Sequence, residues 1–291
     1  MQKTQTLILL ISLIVCSFFL NSISSKKLKA KTQKVQDVKD DNLKAILKDD
    51  YQTFVKKLGE NIKDPKFRAA IRSLSAKNKV NFADIAAPVS TLIPTQNEID
   101  VDKSLKFPLT APASARAFLN CEEPIKIIGK RIVTADYGHY VIDGHHRWSQ
   151  VYSINPLCEM AALDLTDVKD PINALKGTQL GIAGGKDKNG KEITEIPIAL
   201  VEGRNLLKIS EVDLEAYVVK TLTDPVLAVF KAWDEQLDTK AKVAGYIWGN
   251  VREMQMKNRP VAGAPGRGFM PQTDLVVNWT ENAVNTDKVK A

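Results

Sequence analysis

Cysteine and histidine are scarce in this chain of 291 residues, at three each. With Cys16 inside the expected signal peptide, the two cysteines that remain are too few for a cysteine-based zinc site. No internal repeat is present. The basic excess, 41 Lys and Arg against 34 Asp and Glu, gives a net charge of +7 and a pI near 9.1. It favours negatively charged partners. The positive residues are not gathered into a groove-binding stripe, so duplex nucleic-acid binding does not follow. What is present is ordinary for a globular protein: 44% hydrophobic and 26% charged residues. The length suits one large domain or two modest ones.

The first residues address the compartment. Met1 to Gln5 carries one lysine, a 14-residue apolar run spans Leu7 to Leu20, and Asn21-Ser22-Ile23-Ser24-Ser25 is small and polar. This order is that of a secretory signal peptide over 1–24, cleaved near Ser24. The run is short for a membrane span of about 20 residues, although an uncleaved anchor is the alternative. The expected location is therefore secreted or endomembrane lumen, periplasmic or extracellular in a bacterium. Cleavage removes Cys16. Cys121 and Cys158 remain, and the sequence leaves open whether they pair.

Residues 25–41 read as a basic, polar linker. Over 42–80 a helical segment is expected. Leu43, Ile46, Leu47, Phe54, Val55, Leu58 and Ile62 form one apolar stripe, and a second short helix follows Asp64-Pro65. Segment 81–205 alternates short strands and helices, which points to an α+β fold. The expected extended pieces are Pro88 to Pro94, Ile125 to Val133, Tyr140 to Ile142, Met160 to Leu165 and Ile196 to Val201. Helices are expected over Ser114 to Asn120, from His145 to Ile154, and from Pro171 to about Ile182. Residues 206–281 read as a helical extension, with Ser210 and Asp213 as a capping pair, followed by a Gly/Pro-rich loop from Arg259 to Gly268. Asn278-Trp279-Thr280 matches a glycosylation sequon. Residues 282–291 read as a polar, mobile tail.

All three histidines, His139, His145 and His146, fall within eight residues, and Arg147 follows directly. The expected strand–turn–helix order places them at a helix start, where unpaired N–H groups and the positive end of the helix dipole attract anions. Gly144 allows close approach of the backbone. Arg147 can grip an oxyanion with two parallel hydrogen bonds. A histidine adds a donor, or a base near neutral pH. Asp143 is either a helix cap or a catalytic or metal-holding carboxylate. Trp148 and Tyr152, four apart, read as core rather than as a stacking platform.

Val141-Ile142-Asp143-Gly144-His145-His146-Arg147-Trp148 resembles the signature turn of the ParB/sulfiredoxin superfamily. Leu92-Ile93-Pro94-Thr95-Gln96-Asn97-Glu98-Ile99 resembles the box near the start of such domains. The resemblance covers about 86–201 and, with Met270-Pro271-Gln272-Thr273-Asp274, lies closest to bacterial ParB-like proteins of unassigned activity. It implies a ParB/sulfiredoxin-like mixed-sheet domain, flanked here by N- and C-terminal helical segments. It also implies that Gly144, His145, His146 and Arg147 line a phosphate site for a nucleotide. Sulfiredoxins carry a catalytic cysteine where His145 stands, so that repair reaction is not expected. The helix-turn-helix of partition proteins has no convincing equivalent. Free-serine kinases share the two-histidine turn and use acidic residues for proton transfer and metal. By that likeness Glu98 and Asp143 are the candidates for general base and Mg²⁺ ligand, with His145 and His146 as further catalytic candidates. Glu98 alternatively belongs to a solvated acidic face with Asp100 and Asp102.

The resulting expectation is a phosphate- or nucleotide-binding protein, acting as a phosphate-ester hydrolase or phosphotransferase. A non-catalytic binding or assembly module and a secreted nuclease are the alternatives. The loop carrying Arg259 and Arg267 is either a lid over the anion or a surface connector.

Overall fold

The computed structural model describes residues 41–121, 123–198 and 203–289. The signal peptide, nearly all of the linker and the residues 199–202 lie outside them. Among the described residues no helix is long and apolar enough to cross a membrane.

A five-stranded mixed sheet organises the molecule, so the fold is α+β. Its strands are β1 (Phe82–Pro88), β2 (Ile93–Pro94), β3 (Ile132–Ala135), β4 (Tyr140–Asp143) and β5 (Glu159–Leu165), in the order β1-β5-β3-β4-β2. β1 pairs antiparallel with β5, β5 parallel with β3, β3 antiparallel with β4, and β4 parallel with β2. Side chains alternate across the strands. Ile132, Val141 and Met160 enter one apolar core; Val133, Ile142 and Leu165 enter the other. Both faces are thus covered.

The second face is packed by α1 (Tyr51–Asn61), α2 (Pro65–Lys77) and, later in the chain, a helix over Pro171–Gly184. The expected N-terminal stripe is buried, but its helix is not continuous. Residues 41–47 are helical, the chain breaks at 48–50, and Asp50 caps α1 by accepting from Thr53 N–H at 3.0 Å. A local cap overrides the periodicity here.

The first face is packed by α3 (Val101–Thr110), α4 (Pro112–Asn120) and α5 (His145–Ile154), together with the C-terminal helices. Following the helix at Pro171–Gly184 (α6), those are α7 (Glu211–Thr221), α8 (Asp224–Trp233) and α9 (Lys240–Lys257). Ser210 caps α7 as expected. Trp148 and Tyr152 are fully buried, and their polar atoms are satisfied by the Val89 carbonyl and the Asn258 side chain. Each such side chain contributes about 1.5–3 kcal/mol by leaving water. Cys121 and Cys158 form a disulfide that ties the end of α4 to the start of β5.

Several expectations require correction. Seven residue pairs join β1 to β5, yet Phe82 to Ala87 carries no strong strand signal, because alanine and Asp84 are poor strand formers. Pro88 to Pro94 is not one extended piece; a 3₁₀ turn, Val89–Thr91, separates β1 from β2. Of Ile125 to Val133 only the end is strand, because residues 127–130 fold into a tight turn. Ile196 to Ile198 is not strand. The Asn278 sequon is half-buried, and its side-chain carbonyl accepts from Lys186 N–H at 2.8 Å.

The described part of the tail is not mobile surface. Ala283, Val284 and Asn285 are buried. Asn285 N–H donates to the Asn78 carbonyl at 2.8 Å, and Thr286 Oγ1 to the Asn173 carbonyl at 2.9 Å. The tail can approach because α6 presents Gly177 and Gly181 to it. A Cβ at Gly177 would collide with the Val284 carbonyl oxygen. Gly177→Ala is therefore expected to cost about 1–3 kcal/mol in urea unfolding. An unchanged midpoint would show that the tail does not contribute to stability.

Candidate functional site

Strand β4 ends at Asp143, and α5 begins at His145. Between them Gly144 adopts φ +94°, a left-handed conformation that other residues avoid. A Cβ there would also lie 2.8 Å from Ile132 Cγ2 and 2.9 Å from Arg147 Nε. No side chain caps α5, and its first helical bond runs from Trp148 N–H to the Gly144 carbonyl. Among the described residues the N–H groups of His145, His146 and Arg147 have no acceptor. Open N–H groups at a helix start are of the kind that can attract an anion.

This helix start opens on a cavity of about 330 Å³. Three cations line it: Lys130 from the 127–130 turn, Arg147 from α5, and Arg267 from the Gly/Pro-rich loop. Arg147 Nη1 donates to Asp274 at 3.1 Å, while its Nε is buried without a partner. Lys130 reaches the same Asp274 oxygen at 2.8 Å. Burial pushes the Asp274 carboxyl up. The hydrogen bond from Lys130, the two positive charges and the bond from Arg147 outweigh this and hold it below the usual carboxylate range. Asp274 is thus an internal anion paired with both cations. Gln150 is 7% exposed and lines the same cavity. Its amide nitrogen donates to the Lys103 carbonyl, and its Oε1 has no partner.

The two histidines of the turn have a different task from the expected one. His145 Nε2 accepts from Thr95 N–H at 3.1 Å. His146 Nε2 accepts from Asp100 N–H at 3.1 Å, with Arg267 Nη1 also donating to it at 3.3 Å. Together they brace both ends of the 95–100 segment. Burial lowers the His145 pKa to about 3, with His146, Arg147 and Arg267 adding to it against a hydrogen bond at Val141. Burial, followed by the charges of Arg267, Lys103 and Arg147, lowers His146 to about 3. Both rings are neutral acceptors at pH 7, so neither is a base poised near neutrality. His139 lies exposed in the turn before β4 and does not line the cavity.

The carboxylates are also engaged. Asp143 Oδ1 accepts from Gly144 N–H at 2.6 Å, and Oδ2 from Thr273 N–H at 3.1 Å and from the Thr273 hydroxyl. It pins the 270–274 segment rather than capping α5. Glu98 accepts from Arg267 N–H at 3.1 Å and does not line the cavity. Asp143 and Glu98 therefore do not converge, and among the described residues no three His, Cys, Asp or Glu side chains gather as a metal site. The acidic residues do not share one solvated face: Asp102 is exposed, but Asp100 is not. Asp100 is buried and caps α3, and Asp102 accepts from the Tyr217 hydroxyl at 2.7 Å.

The loop from Arg259 to Gly268 is a wall of the site. Val261 N–H donates to the Pro94 carbonyl, Asn97 N–H to the Pro265 carbonyl, and Asn97 Nδ2 to the Ala264 carbonyl. Arg267 lines the cavity; Arg259 does not. Sequence reasoning did not single out Lys130, Gln150 or Asp274 for the site. Gln150 lies one turn beyond Arg147 on α5, so helical spacing could have found it. Asp274 and Lys130 come from distant loops and carry no local signal.

No protein-family model, curated protein or solved structure matches the chain.

The arrangement can bind and orient an anion. It offers main-chain donors, fixed cations and a partly water-excluded cavity. The histidines set a pH dependence of stability. Their folded pKa values near 3 lie below 6.5, so the unfolded chain takes up protons between those limits and the folded chain does not. Stability present above pH 6.5 is lost as the pH falls toward 3. Urea unfolding at pH 7, 5.5 and 4 is expected to show a falling midpoint. Imidazole NMR signals of His145 and His146 that move between pH 5 and 8 would contradict this assignment.

Proposed function

We propose that the protein is a ParB-like phosphate-binding protein of the secretory route. It holds the phosphate of a small ligand or nucleotide at the start of α5. The N–H groups of His145, His146 and Arg147, the Arg147 guanidinium and Lys130 contact the phosphate oxygens. The observation that carries this reading is the uncapped helix start facing a cavity shared with Lys130, Arg147 and Arg267. The unpartnered Arg147 Nε adds support, since it is a donor and buried polar atoms are normally satisfied. The strand–Gly–helix turn on a mixed five-stranded sheet supports the ParB-like reading, and the leader-like residues 1–24 support secretion.

Binding is favoured over phosphate-ester hydrolysis or phosphotransfer. His145 and His146 spend their ring acceptors on main-chain donors, and Asp143 and Glu98 each hold a loop. Glu98 does not line the cavity, and of the four only Asp143 brings a carboxylate to it, with both oxygens already accepting hydrogen bonds. The cavity is also small for a polymer, which places the nuclease reading behind that of a small ligand. Because Asp274 already occupies Arg147 and Lys130, the ligand must displace a carboxylate.

Calorimetric titration of the full chain with inorganic phosphate, AMP and ATP tests this. Arg147→Ala is expected to weaken binding about tenfold to a hundredfold, the range of one charge-assisted contact, with the unfolding midpoint retained. Asp274→Asn is expected to strengthen it severalfold, because a competing negative charge is removed. No binding of phosphate or nucleotide by the parent chain would remove the proposal.

A further inference from the structure

Beside the phosphate corner lies a larger groove of about 540 Å³, between α3, α4 and the residues 123–128. Its lining is largely apolar: Phe107, Ala117, Phe118, Ile125, Ile127 and Ile128. Ile127 and Ile128 line both this groove and the phosphate cavity, so the two adjoin across one turn. The groove wall is held in place. Cys121 is bonded to Cys158, Ile125 N–H donates to the Glu159 carbonyl at 2.8 Å, and Ala161 N–H donates to the Ile125 carbonyl at 3.1 Å.

The turn itself does not suit the residue at its tip. Lys130 N–H closes it onto the Ile127 carbonyl, with Ile128 at φ +53° and Gly129 at φ +70°. Two successive positive φ angles describe a turn that favours Asn-Gly or Asp-Gly. Isoleucine pays a steric penalty there, being β-branched. Its side chain is also 80% exposed. Neither local conformation nor core packing accounts for an isoleucine at this position. An apolar contact made by a bound ligand does.

We infer that the ligand is a soluble phosphomonoester with an apolar body, whose phosphate sits at the start of α5 while its carbon chain or ring crosses Ile128 into the groove under Phe107. This rests on the phosphate-binding reading and adds the ligand's class to it. The charge pattern fits one amphiphilic anion: the cations Lys130, Arg147 and Arg267 stand at one end, and the apolar lining lies at the other.

Titration of the full chain with inorganic phosphate, methyl phosphate and hexyl phosphate, the last below its aggregation concentration, tests the inference. Each methylene entering the groove should tighten binding about threefold to fourfold. Hexyl phosphate is therefore expected to bind about tenfold or more tighter than methyl phosphate. Ile128→Gly relaxes the turn and so keeps the fold, and it should remove most of that gain. Phe107→Ser should do the same and leave inorganic phosphate binding unchanged. Arg147→Ala should weaken all three ligands. Equal affinities for the three phosphates in the parent chain would overturn the inference and leave the phosphate-binding reading intact. Hexyl phosphate binding undiminished in Arg147→Ala would also overturn it, since the groove would then act without the corner. Absence of binding by all three would sink both readings.

Discussion

Two main-chain N–H groups, those of Thr95 and Asp100, end on the neutral Nε2 atoms of His145 and His146, and the site depends on that pair of bonds. They fix the 95–100 segment against the start of α5. From that segment Glu98 holds Arg267, Asp100 caps α3, and Gln96 faces the cavity. Protonating either ring would replace an acceptor with a donor facing a donor. Burial and the nearby arginines keep both rings neutral. The imidazole rings therefore act as architecture, while the main chain of the same residues carries the open N–H groups of the helix start.

The same economy shapes the electrostatics. Lys130, Arg147 and Arg267 come from three separate parts of the chain and meet at one cavity, a concentration of charge that would be costly unless compensated. Asp274 compensates two of them directly. Its loop is in turn fixed by Asp143 through Thr273. A turn residue, a distant loop and a helix start thus form one network, with the Asp274 carboxylate between Lys130 and Arg147. An apolar groove adjoins this corner on the other side of Ile128.

Much of the fold was legible from local patterns. The helix from His145 to Ile154, the Ser210 cap and the buried Trp148–Tyr152 pair all follow from short-range chemistry that the structure retains. β1 was not legible, because an alanine-rich strand is stabilised by its partner β5 rather than by its own propensity. The tail was misread because its composition is polar, while its burial is made by the glycines of α6. In the site, Gly144, His145, His146 and Arg147 were found together, since they are adjacent in sequence. Their roles were not, because those depend on what Thr95, Asp100 and Asp274 bring to them.

By itself the sequence determined that a strand would meet a helix at Gly144 and that Arg147 would stand in the first turn. These are consequences of local conformation. Only the tertiary structure decided that the two imidazoles accept hydrogen bonds rather than exchange protons, that Glu98 turns away from the cavity, and that Lys130, Gln150 and Arg267 turn toward it. The reason is physical: protonation state and charge pairing depend on burial and on neighbours through space, and neither is encoded in spacing along the chain.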